Sequence, residues 1–322
     1  MATFQGNVNT TTGYTEAFIR AYHAGYQQIL QEMTDVYGDT MRREKIEGDN
    51  KAYDFLGTVD LDEKQSRFED IPIDDVSHNR RWIYPRWFRK GIFVDKEDNI
   101  ALHTDPTSDY IRALAKGVIR TKNDVIYAAF EANVRGGLAP GDDTYTFDDS
   151  AYDIASEGGR TIPHDTTNAF AAGGVSSGLS IEKLILARQA LVEQKNDPNQ
   201  MYHITCTQRQ ISDLLREAET QSIDTNIIRA LHAGTITEYH GFKFHVDWNI
   251  AIGSSNDIDA DTNIYSCYAY TTDALLYAQH EAPIFGVDWL PRKRIWQISA
   301  SVGMNSIRMD EDKVIKIECA AV

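Results

Sequence analysis

The longest regular pattern of apolar positions in the chain predicts a helix over 106–135. Its apolar face repeats at three- and four-residue spacing and comprises Ile111, Leu114, Ala115, Val118, Ile119, Val125, Ile126 and Ala129. Asp105 is a favourable N-cap, Pro106 fits the first helical position, and Gly136 is placed to end the helix in the left-handed conformation. A helix of this length spans about 45 Å, which suits a strut along a domain better than one wall of a small pocket.

An aromatic stripe marks a second amphipathic helix, which begins at Thr15 and ends before Gly38. One face of this helix carries Phe18, Tyr22, Tyr26, Ile29, Met33 and Val36. The polar residues 1–13 before it are expected to form an extended tail. Because no companion helix lies nearby in sequence, the stripe either packs on its own domain or docks on another subunit.

Residues 50–98 alternate in a way that predicts two strands, at 52–56 and 82–94, joined by a polar tip. The first part is acidic, with eight carboxylates between Asp54 and Asp75. The second part is basic and aromatic and contains Arg80, Arg81, Trp82, Tyr84, Arg86, Trp87, Phe88, Arg89 and Lys90. The arms of such a hairpin can neutralise one another, or the tip can reach a neighbour of complementary charge. An isolated hairpin is marginal in water, so this arm needs a surface to lie on.

The tract 137–178 is rich in Gly, Ala, Asp, Ser and Thr and has Arg160 as its only Lys or Arg. Such a composition cannot form a strong core of its own. We therefore predict a surface excursion, with short strands near Tyr145 and Thr161.

Regular patterns resume at Ser180, which caps a predicted helix. Further helices are predicted at 208–219 and 223–233, and strands at 202–206, 235–239, 242–246, 265–270 and 275–279. This alternation predicts a compact α/β or α+β domain of about 100 residues. The last segment, 288–319, predicts two long strands around a turn at 310–312, which we expect to pair beside the long helix.

Composition limits the classes of function. The 322 residues contain no window close to the ~18 uncharged apolar residues that a membrane span needs, and the N-terminus lacks the pattern of a secretion signal. We therefore expect a protein made and used in a cytoplasm. The net charge of −16 opposes binding to nucleic acid phosphate, so if the protein works near DNA, it is better suited to enclose the DNA than to grip it. Three widely spaced cysteines predict reduced thiols and no disulfide framework or zinc ribbon.

A nucleophile-elbow pattern, GxSxG, occurs at 174–178 with Ser176 at its centre. A predicted helix follows, but the residues before Ser176 do not form the hydrophobic strand that an elbow requires. We interpret the pattern as a flexible joint before a capped helix. A serine hydrolase is the enzyme alternative.

Two further groups resemble metal sites. Asp257, Asp259 and Asp261 have the acidic spacing of a calcium loop, but Thr262 stands where glycine is wanted and Tyr268 where a bidentate glutamate is wanted. A solvated loop tip is the preferred interpretation and a weak surface cation site the alternative. His240 and His245 lie on predicted β structure without a cysteine or HExxH partner, which favours ordinary histidines over metal ligands.

The simple nucleotide-binding fingerprints GxGxxG and GxxxxGK[ST] do not occur in the sequence, and we predict no cofactor. The mixture of cations and aromatic rings at 80–90 suits a nucleic-acid surface, but the acidic arm before it would cancel that field. We favour protein–protein contact, since Arg, Trp and Tyr are enriched at interfaces.

Four segments, taken in order, carry a resemblance to a known family: 15–23, 105–110, the Gly-aromatic-Lys-aromatic run at 241–244, and the closing segment from 303 to 314. With this order of elements, the chain resembles the major capsid proteins of tailed double-stranded-DNA bacteriophages, which have the Hong Kong-type fold, and within them a podovirus-like capsid family. The resemblance covers nearly the whole chain and is weakest over 137–178.

The resemblance implies an α+β fold with named parts. Residues 1–47 would form an N-terminal arm with its amphipathic helix, and 48–100 an extended hairpin loop that overlies a neighbouring subunit. Residues 101–180, with the spine helix at 106–135, and the closing strands at 285–322 would form the peripheral domain. Residues 181–284 would form the axial domain, whose loop carrying Asp257, Asp259 and Asp261 would sit near a symmetry axis.

The resemblance also implies partners. The chain would assemble with itself into hexamers and pentamers of an icosahedral head, using Phe18, Tyr22, Tyr26, Arg80, Arg81, Trp82, Arg86, Trp87 and Arg89 as interface residues. Portal and scaffolding proteins, and a possible cement or decoration protein, are expected alongside it. The head would enclose double-stranded DNA without specific binding, contact no membrane, and be assembled in the host bacterial cytoplasm. An encapsulin-type protein compartment, which shares this fold but encloses protein cargo, is the alternative to a phage head.

Overall fold

A computed structural model describes most of the chain. The described residues are 35–57, 63, 66, 73, 78–95, 107–139, 141–152, 158–165, 177–194, 196–221, 238–247, 250 and 264–320. The predicted aromatic stripe with Phe18, Tyr22 and Tyr26, the helix at 223–233, Ser176, and the loop with Asp257, Asp259 and Asp261 lie outside these residues, apart from the last positions of the stripe's helix. None of the described helices is long and apolar enough to cross a membrane.

The chain divides into two compact units. The described part of unit 1 comprises 86–95, 107–122 and 280–304, and unit 2 contains the other described residues. Two strands and one helix contribute residues to both units: β12 (Leu275–Leu290), β13 (Ile295–Arg308) and α1 (Thr107–Ala128).

Unit 1 is a layer of α1 on a β-sheet. Strand β4 (Arg86–Asp95) pairs antiparallel with β13, from Ile295 opposite Asp95 to Met304 opposite Arg86. The other neighbour of β13 in the sheet is β12. Apolar side chains of α1 cover one face of the sheet. The buried cluster consists of Val94, Leu114, Ile298 and Ala300, with Ile92, Tyr110, Ile111 and Val118 packed against it.

Unit 2 is built around a six-stranded mixed sheet in the order β7–β14–β11–β8–β10–β9. Its strands are β7 (Thr161–Ile162), β8 (Tyr202–Cys206), β9 (Glu238–Tyr239), β10 (Phe242–Val246), β11 (Ile264–Tyr270) and β14 (Val314–Ala320). Helices α2 (Ile181–Glu193) and α3 (Gln208–Gln221) add apolar side chains to the core on one face, where Leu184, Leu191, Ile211 and Leu214 pack with the strands. Most of these elements were predicted, including the N-cap of α2, where the Ser180 side chain accepts a hydrogen bond from the Lys183 amide.

A second, four-stranded sheet of unit 2 contains the base of the predicted hairpin. Strand β2 (Lys51–Leu56) pairs antiparallel with β3 (His78–Ile83), followed by β5 (Val134–Gly136) and β6 (Asp143–Tyr145). Strand β1 (Arg42–Lys45) runs parallel to the first part of β12. The core under the sheet consists of Ile46, Tyr53, Ile83, Val134, Leu276, Ala278, Ile307 and Met309.

The predicted second arm of the hairpin, 82–94, is wrong as a single strand. Strand β3 ends at Ile83, and β4 starts at Arg86 after the Tyr84–Pro85 step. Proline has no N–H to donate to a ladder and restricts the residue before it, so it interrupts the strand here. Beyond this break, β4 pairs with β13 and not with β2.

The long helix is shorter than predicted and ends at Ala128. After it the chain forms a tight turn, in which the amides of Ala129 and Phe130 donate hydrogen bonds to the carbonyl oxygens of Ile126 and Tyr127. Phe130 is buried and stacks on Tyr268 at 4.5 Å between ring centroids. The apolar periodicity therefore continues past the helix because the next residues are also core residues.

Gly136 does not end a helix as predicted but lies in β5. A Cβ there would sit 2.2 Å from the Tyr145 ring and 2.9 Å from the Arg80 carbonyl oxygen, so glycine is needed for close approach. The left-handed conformation belongs to Gly137, with φ of 91°.

The two closing strands exist, but they pair with different partners. Strand β13 pairs with β4, whereas β14 lies between β11 and β7. Most of β14 is buried, including the apolar residues Val314, Ile315 and Ile317, as expected for an interior strand of a sheet covered on both faces. Alternation identified both strands but did not identify their partners.

Candidate assembly interface

The predicted interface residues at 80–89 fall on two strands in different units. Arg80, Arg81 and Trp82 lie on β3 in unit 2, whereas Arg86, Trp87 and Arg89 lie on β4 in unit 1. Phe18, Tyr22 and Tyr26 lie outside the described residues. The two groups have different surroundings and are described separately.

Arg80 forms an exposed cross-strand ion pair with Asp54, its partner in the register of β2 and β3. The Arg80 Nη2 atom donates to Asp54 Oδ2 at 3.0 Å. This hydrogen bond lowers the pKa of the Asp54 carboxyl. Lys51 likewise pairs with Glu44, so these cations at the base of the hairpin are neutralised locally.

Arg81 is the centre of a buried charge network. Its Nη1 atom donates to the Arg308 carbonyl oxygen and to Glu311 Oε1, both at 2.9 Å. Arg308 is fully buried, donates to Glu311 Oε1 at 3.2 Å through Nε, and donates through Nη1 to the carbonyl oxygen of Phe130. Burial acts to raise the pKa of Glu311, but the hydrogen bonds and charges of Arg81 and Arg308 outweigh it and lower that pKa.

This network fastens the base of the hairpin. Arg81 on β3 is joined to the turn before β14, and Arg308 caps carbonyls after the end of α1. The Trp82 indole N–H donates to the Gly137 carbonyl at 3.0 Å, which joins β3 to the turn between β5 and β6. Sequence reasoning missed Glu311 and Arg308 as partners of Arg81 because they lie more than 220 positions away.

The group on β4 is exposed. Trp87 is 46% exposed and meets His280 edge-to-face at 5.2 Å between ring centroids. Arg89 lies over the Trp87 ring at 5.8 Å and Arg86 over the Phe88 ring at 5.6 Å. Neither arginine forms an ion pair with a residue that the structure describes. These side chains are therefore free to contact a partner of opposite charge.

A second cationic and aromatic cluster, which sequence reasoning missed, lies at the turn between β12 and β13. The turn residues Arg292, Lys293 and Arg294 are exposed. Trp289 and Trp296 flank them, with ring centroids 5.0 Å apart, and Lys293 lies 5.5 Å from the centroid of the Phe93 ring. The run Pro-Arg-Lys-Arg between two tryptophans was the available sequence signal.

The histidine and cysteine positions do not form a metal centre in the described part of the chain, where no cluster of three or more metal-ligand residues occurs. His245 pairs with His203 at 3.0 Å between Nε2 and Nδ1, and burial lowers the pKa of both to about 4. His240 has φ of 51° in the turn before β10. Cys206, Cys267 and Cys319 are free and buried on neighbouring strands, in agreement with the prediction of reduced thiols.

Comparison with solved structures identifies the fold. The chain superposes on the capsid protein of cyanophage P-SCSP1u with a TM-score of 0.66 and 14% identity, covering 100% of both chains. The cyanophage Pam1 capsid gives 0.66 with 13% identity, covering 100% of this chain and 99% of that chain. The head of Helicobacter pylori bacteriophage KHP40 gives 0.65 with 12% identity and coverages of 100% and 99%.

Comparison of the sequence identifies the family. Curated protein sequences give no match, but the profile of the family described as phage capsid protein matches residues 14–321. This match includes nearly all of the chain, and the predicted resemblance to phage capsid proteins is confirmed. The chain therefore belongs to the phage capsid protein family, as a structural component of the bacteriophage particle.

Proposed function

We propose that this chain is the major capsid protein of a tailed phage and that it assembles into hexamers and pentamers of an icosahedral head around double-stranded DNA. The observation that carries the proposal is the full-length likeness to phage capsid chains, over 100% of this chain and of the P-SCSP1u chain. A protein that forms a closed shell needs many modest contacts in a symmetric array and no substrate pocket. Portal and scaffolding proteins, and a possible cement protein, are the proposed partners in the bacterial cytoplasm.

The parts of the Hong Kong-type fold are assigned as follows in this proposal. Residues 1–47 are the arm, 48–100 the extended loop, 181–284 the axial domain, and the remainder the peripheral domain. Support for the axial domain comes from the six-stranded sheet, since most of its strands and both of its helices lie within 181–284. Support for an anchored extended loop comes from Arg81, which is held by Glu311 and by the main chain of Arg308.

The contact between subunits is proposed to use the exposed group on β4, which is Arg86, Trp87 and Arg89, together with the aromatic stripe of the arm. Large aromatic and arginine side chains dominate binding energy at protein interfaces. Arg80 pairs with Asp54 and Arg81 is buried. These two residues are therefore proposed to affect assembly by maintaining the conformation of the loop and not by contacting a neighbouring subunit. The carboxylates of Asp257, Asp259 and Asp261 are proposed to lie near a symmetry axis.

Electron microscopy of the expressed chain tests this proposal. Expression alone, and together with a co-expressed scaffolding protein, is expected to give closed shells with fivefold and sixfold capsomers. Sedimentation of the purified material separates shells from free subunits. A chain that sediments as a monomer under all these conditions is not a shell-forming protein.

A further inference from the structure

Positive charge is concentrated in unit 1. Its described residues contain ten Lys and Arg side chains and four Asp and Glu side chains, a net charge of +6, in a chain with a net charge of −16. Part of this excess lies on the helix α1, where the nine residues 112–120 include three cations and no carboxylate. The cations of α1 are not part of the contact proposed for β4 and need a separate explanation.

Three cations, Arg112, Lys116 and Arg120, form a row along one side of α1, which we call the α1 stripe. They are four residues apart, so the 3.6-residue turn brings them to the same side of the helix. The opposite side of α1 is the one that packs on the sheet, where Leu114 is buried and Val118 lies beside it. The stripe therefore points away from the sheet of unit 1.

Both ends of the stripe are available to a partner. Arg112 is exposed, and neither Arg112 nor Arg120 forms an ion pair with a residue that the structure describes. Gly117 leaves the surface between them open, because the nearest described atom to a Cβ placed there, apart from the helix backbone, is Arg120 Nη2 at 3.9 Å. The nearest carboxylates along the helix, Asp109 and Asp124, lie beyond the two ends of the stripe and have interactions of their own. A row of like charges on an open surface is a site for a partner of opposite charge.

The α1 stripe lacks the side chains that usually anchor a protein partner. Aromatic residues supply much of the binding energy at protein interfaces, and the helix contains none between Arg112 and Arg120. The arginines of β4 differ in this respect, because they lie over the rings of Trp87 and Phe88. Cations without apolar anchors suit a partner that is bound by charge alone. The phosphate backbone of nucleic acid is such a partner, since its contacts with Lys and Arg supply essentially all of the sequence-independent affinity.

The length of the stripe fits a linear polyanion. Four residues advance along a helix by about 6 Å, so about 12 Å separate Arg112 from Arg120 along the axis. Double-stranded DNA carries one charge per about 1.7 Å of its axis, and a stripe of this length therefore faces several phosphates. The net charge of the chain does not prevent the contact, because exposed charges farther apart than about 8 Å are largely screened at physiological ionic strength.

We infer that the α1 stripe is a sequence-independent contact for the phosphate backbone of the enclosed double-stranded DNA. The inference rests on the proposed function, which brings DNA inside the head, and it adds the residues that meet the DNA. One contact of this size is weak and salt-dependent, but a shell repeats it in every copy. Many weak contacts then hold the outermost DNA without preference for its sequence. The stripe must accordingly line the inside of the head.

A binding experiment with the unassembled full-length protein tests the contact without shells. A short fluorescein-labelled DNA duplex is titrated with the protein at physiological ionic strength and followed by anisotropy. The wild type is expected to bind with a Kd of about 10⁻⁴ M, the weak end of sequence-independent binding, and to bind a duplex of unrelated sequence equally well. Arg112→Glu with Arg120→Glu is expected to bind at least about tenfold more weakly and to lose most of the salt dependence.

Two further variants make the result specific to the stripe. Arg112→Gln with Arg120→Gln removes the charges but keeps good helix formers, so it should weaken binding with unchanged circular dichroism. Arg292→Glu with Lys293→Glu, at the exposed turn between β12 and β13, changes the charge of unit 1 as much as the α1 glutamate variant does. This matched control should bind the duplex within about threefold of the wild type. Equal loss in the control and the α1 glutamate variant would assign the affinity to the general charge of unit 1 and overturn the inference, as would equal affinity of the wild type and both α1 variants.

Cysteine labelling tests which side of the shell the stripe faces. The three native cysteines are buried, so Arg112→Cys supplies an accessible thiol, which in the unassembled subunit should react with small and large reagents alike. In closed shells it is expected to react with a small maleimide, which passes between subunits, but not with a maleimide coupled to a large polymer. Reaction with both reagents would place the stripe on the outer surface and reaction with neither would place it between subunits, and either result overturns the inference. Absence of shells from the wild type, with the duplex binding as expected, counts against the proposed function alone.

Discussion

At the scale of single residues, buried cations hold distant parts of unit 2 together. The Lys183 ammonium is buried, and its three N–H donors are shared among four main-chain carbonyl oxygens within hydrogen-bond distance, those of His164 at 3.2 Å, Ser177 at 2.9 Å, Gly178 at 3.0 Å and Glu318 at 3.0 Å. Burial lowers the pKa of Lys183. The residue thus joins both ends of the segment 165–176 to strand β14.

We expect Lys183→Met to destabilise the subunit by about 3 kcal/mol, because methionine fills the space but leaves buried carbonyls without a donor. Urea unfolding of the unassembled subunit measures the change. Lys243→Met, at an exposed position on β10, is the control and should change the free energy of unfolding by less than about 0.5 kcal/mol. Equal unfolding midpoints for the two variants would show that the four carbonyls do not depend on Lys183.

The pair of His203 and His245 predicts a loss of stability in mild acid. Burial holds the pKa of both at about 4 in the folded chain, below the ordinary histidine value of 6.5, so the unfolded chain binds more protons between these two values. Stability therefore falls as the pH drops from 6.5 towards 4. Lys243, which faces the pair, adds to the lowering.

Unfolding by urea at a series of pH values measures this slope. His203→Gln with His245→Gln is expected to flatten the dependence between pH 6.5 and pH 4, because glutamine does not titrate. His78→Gln, at an exposed position, should retain the slope of the wild type. A slope unchanged by the double substitution would assign the acid sensitivity to other groups.

At the scale of elements, the sequence correctly predicted the helices and strands whose local apolar pattern agrees with their burial in the structure. Strands β8 and β10 have the predicted bounds, and α2 has the predicted cap. The errors lie where tertiary contacts determine the point at which a helix or strand ends. The helix α1 ends at Ala128 because Phe130 turns into the aromatic core and Arg308 takes up the carbonyls that follow. The strand breaks at Pro85 because the chain changes sheets there.

The base of the hairpin could not be predicted as an anchored element. Its stability depends on the contact of Arg81 with Glu311 and on the buried Arg308. Arg81 is far from both of these residues in the sequence, and the periodicity of apolar positions gives no sign of a pairing over such a distance. The same limit applies to the second cationic and aromatic cluster, at the turn between β12 and β13, whose tryptophans are seven positions apart and meet only because β12 and β13 bring them together.

We expect Glu311→Gln to loosen the hairpin, because it leaves the cations of Arg81 and Arg308 without their carboxylate. The cost is expected to be about 3 kcal/mol, the range for breaking a buried ion pair. Hydrogen exchange should show greater loss of protection in β2 and β3 than in the six-stranded sheet.

The exposed pair of Asp54 and Arg80 provides the control for this variant. Asp54→Asn removes a carboxylate from the same hairpin but from its surface, and surface ion pairs contribute little to stability. No measurable change is expected. Equal loss of protection in the two sheets after Glu311→Gln would mean that the network stabilises unit 2 as a whole and not the hairpin in particular.

At the scale of the whole molecule, charge has two opposite effects on assembly. A net charge of −16 on each copy makes copies repel, and salt weakens that repulsion. In the contact proposed for β4, the exposed cations would act locally in the opposite sense, because they would attract carboxylates of a partner. Assembly of such a chain requires local attraction to exceed the general repulsion, so reversing a few exposed cations has a large effect.

Reversal of Arg86 and Arg89 to Glu tests this balance at β4. Both side chains are exposed and lack ion pairs with described residues, so the subunit should fold with unchanged circular dichroism. Each substitution removes an attraction and adds a repulsion, and shell formation should stop because rim charges select the partner. Arg112→Glu with Arg120→Glu changes the net charge equally and should still yield shells. If electron microscopy shows normal particles from the Arg86 and Arg89 variant, β4 does not contact a neighbour through these cations. Charge would then affect assembly only through the overall repulsion between copies.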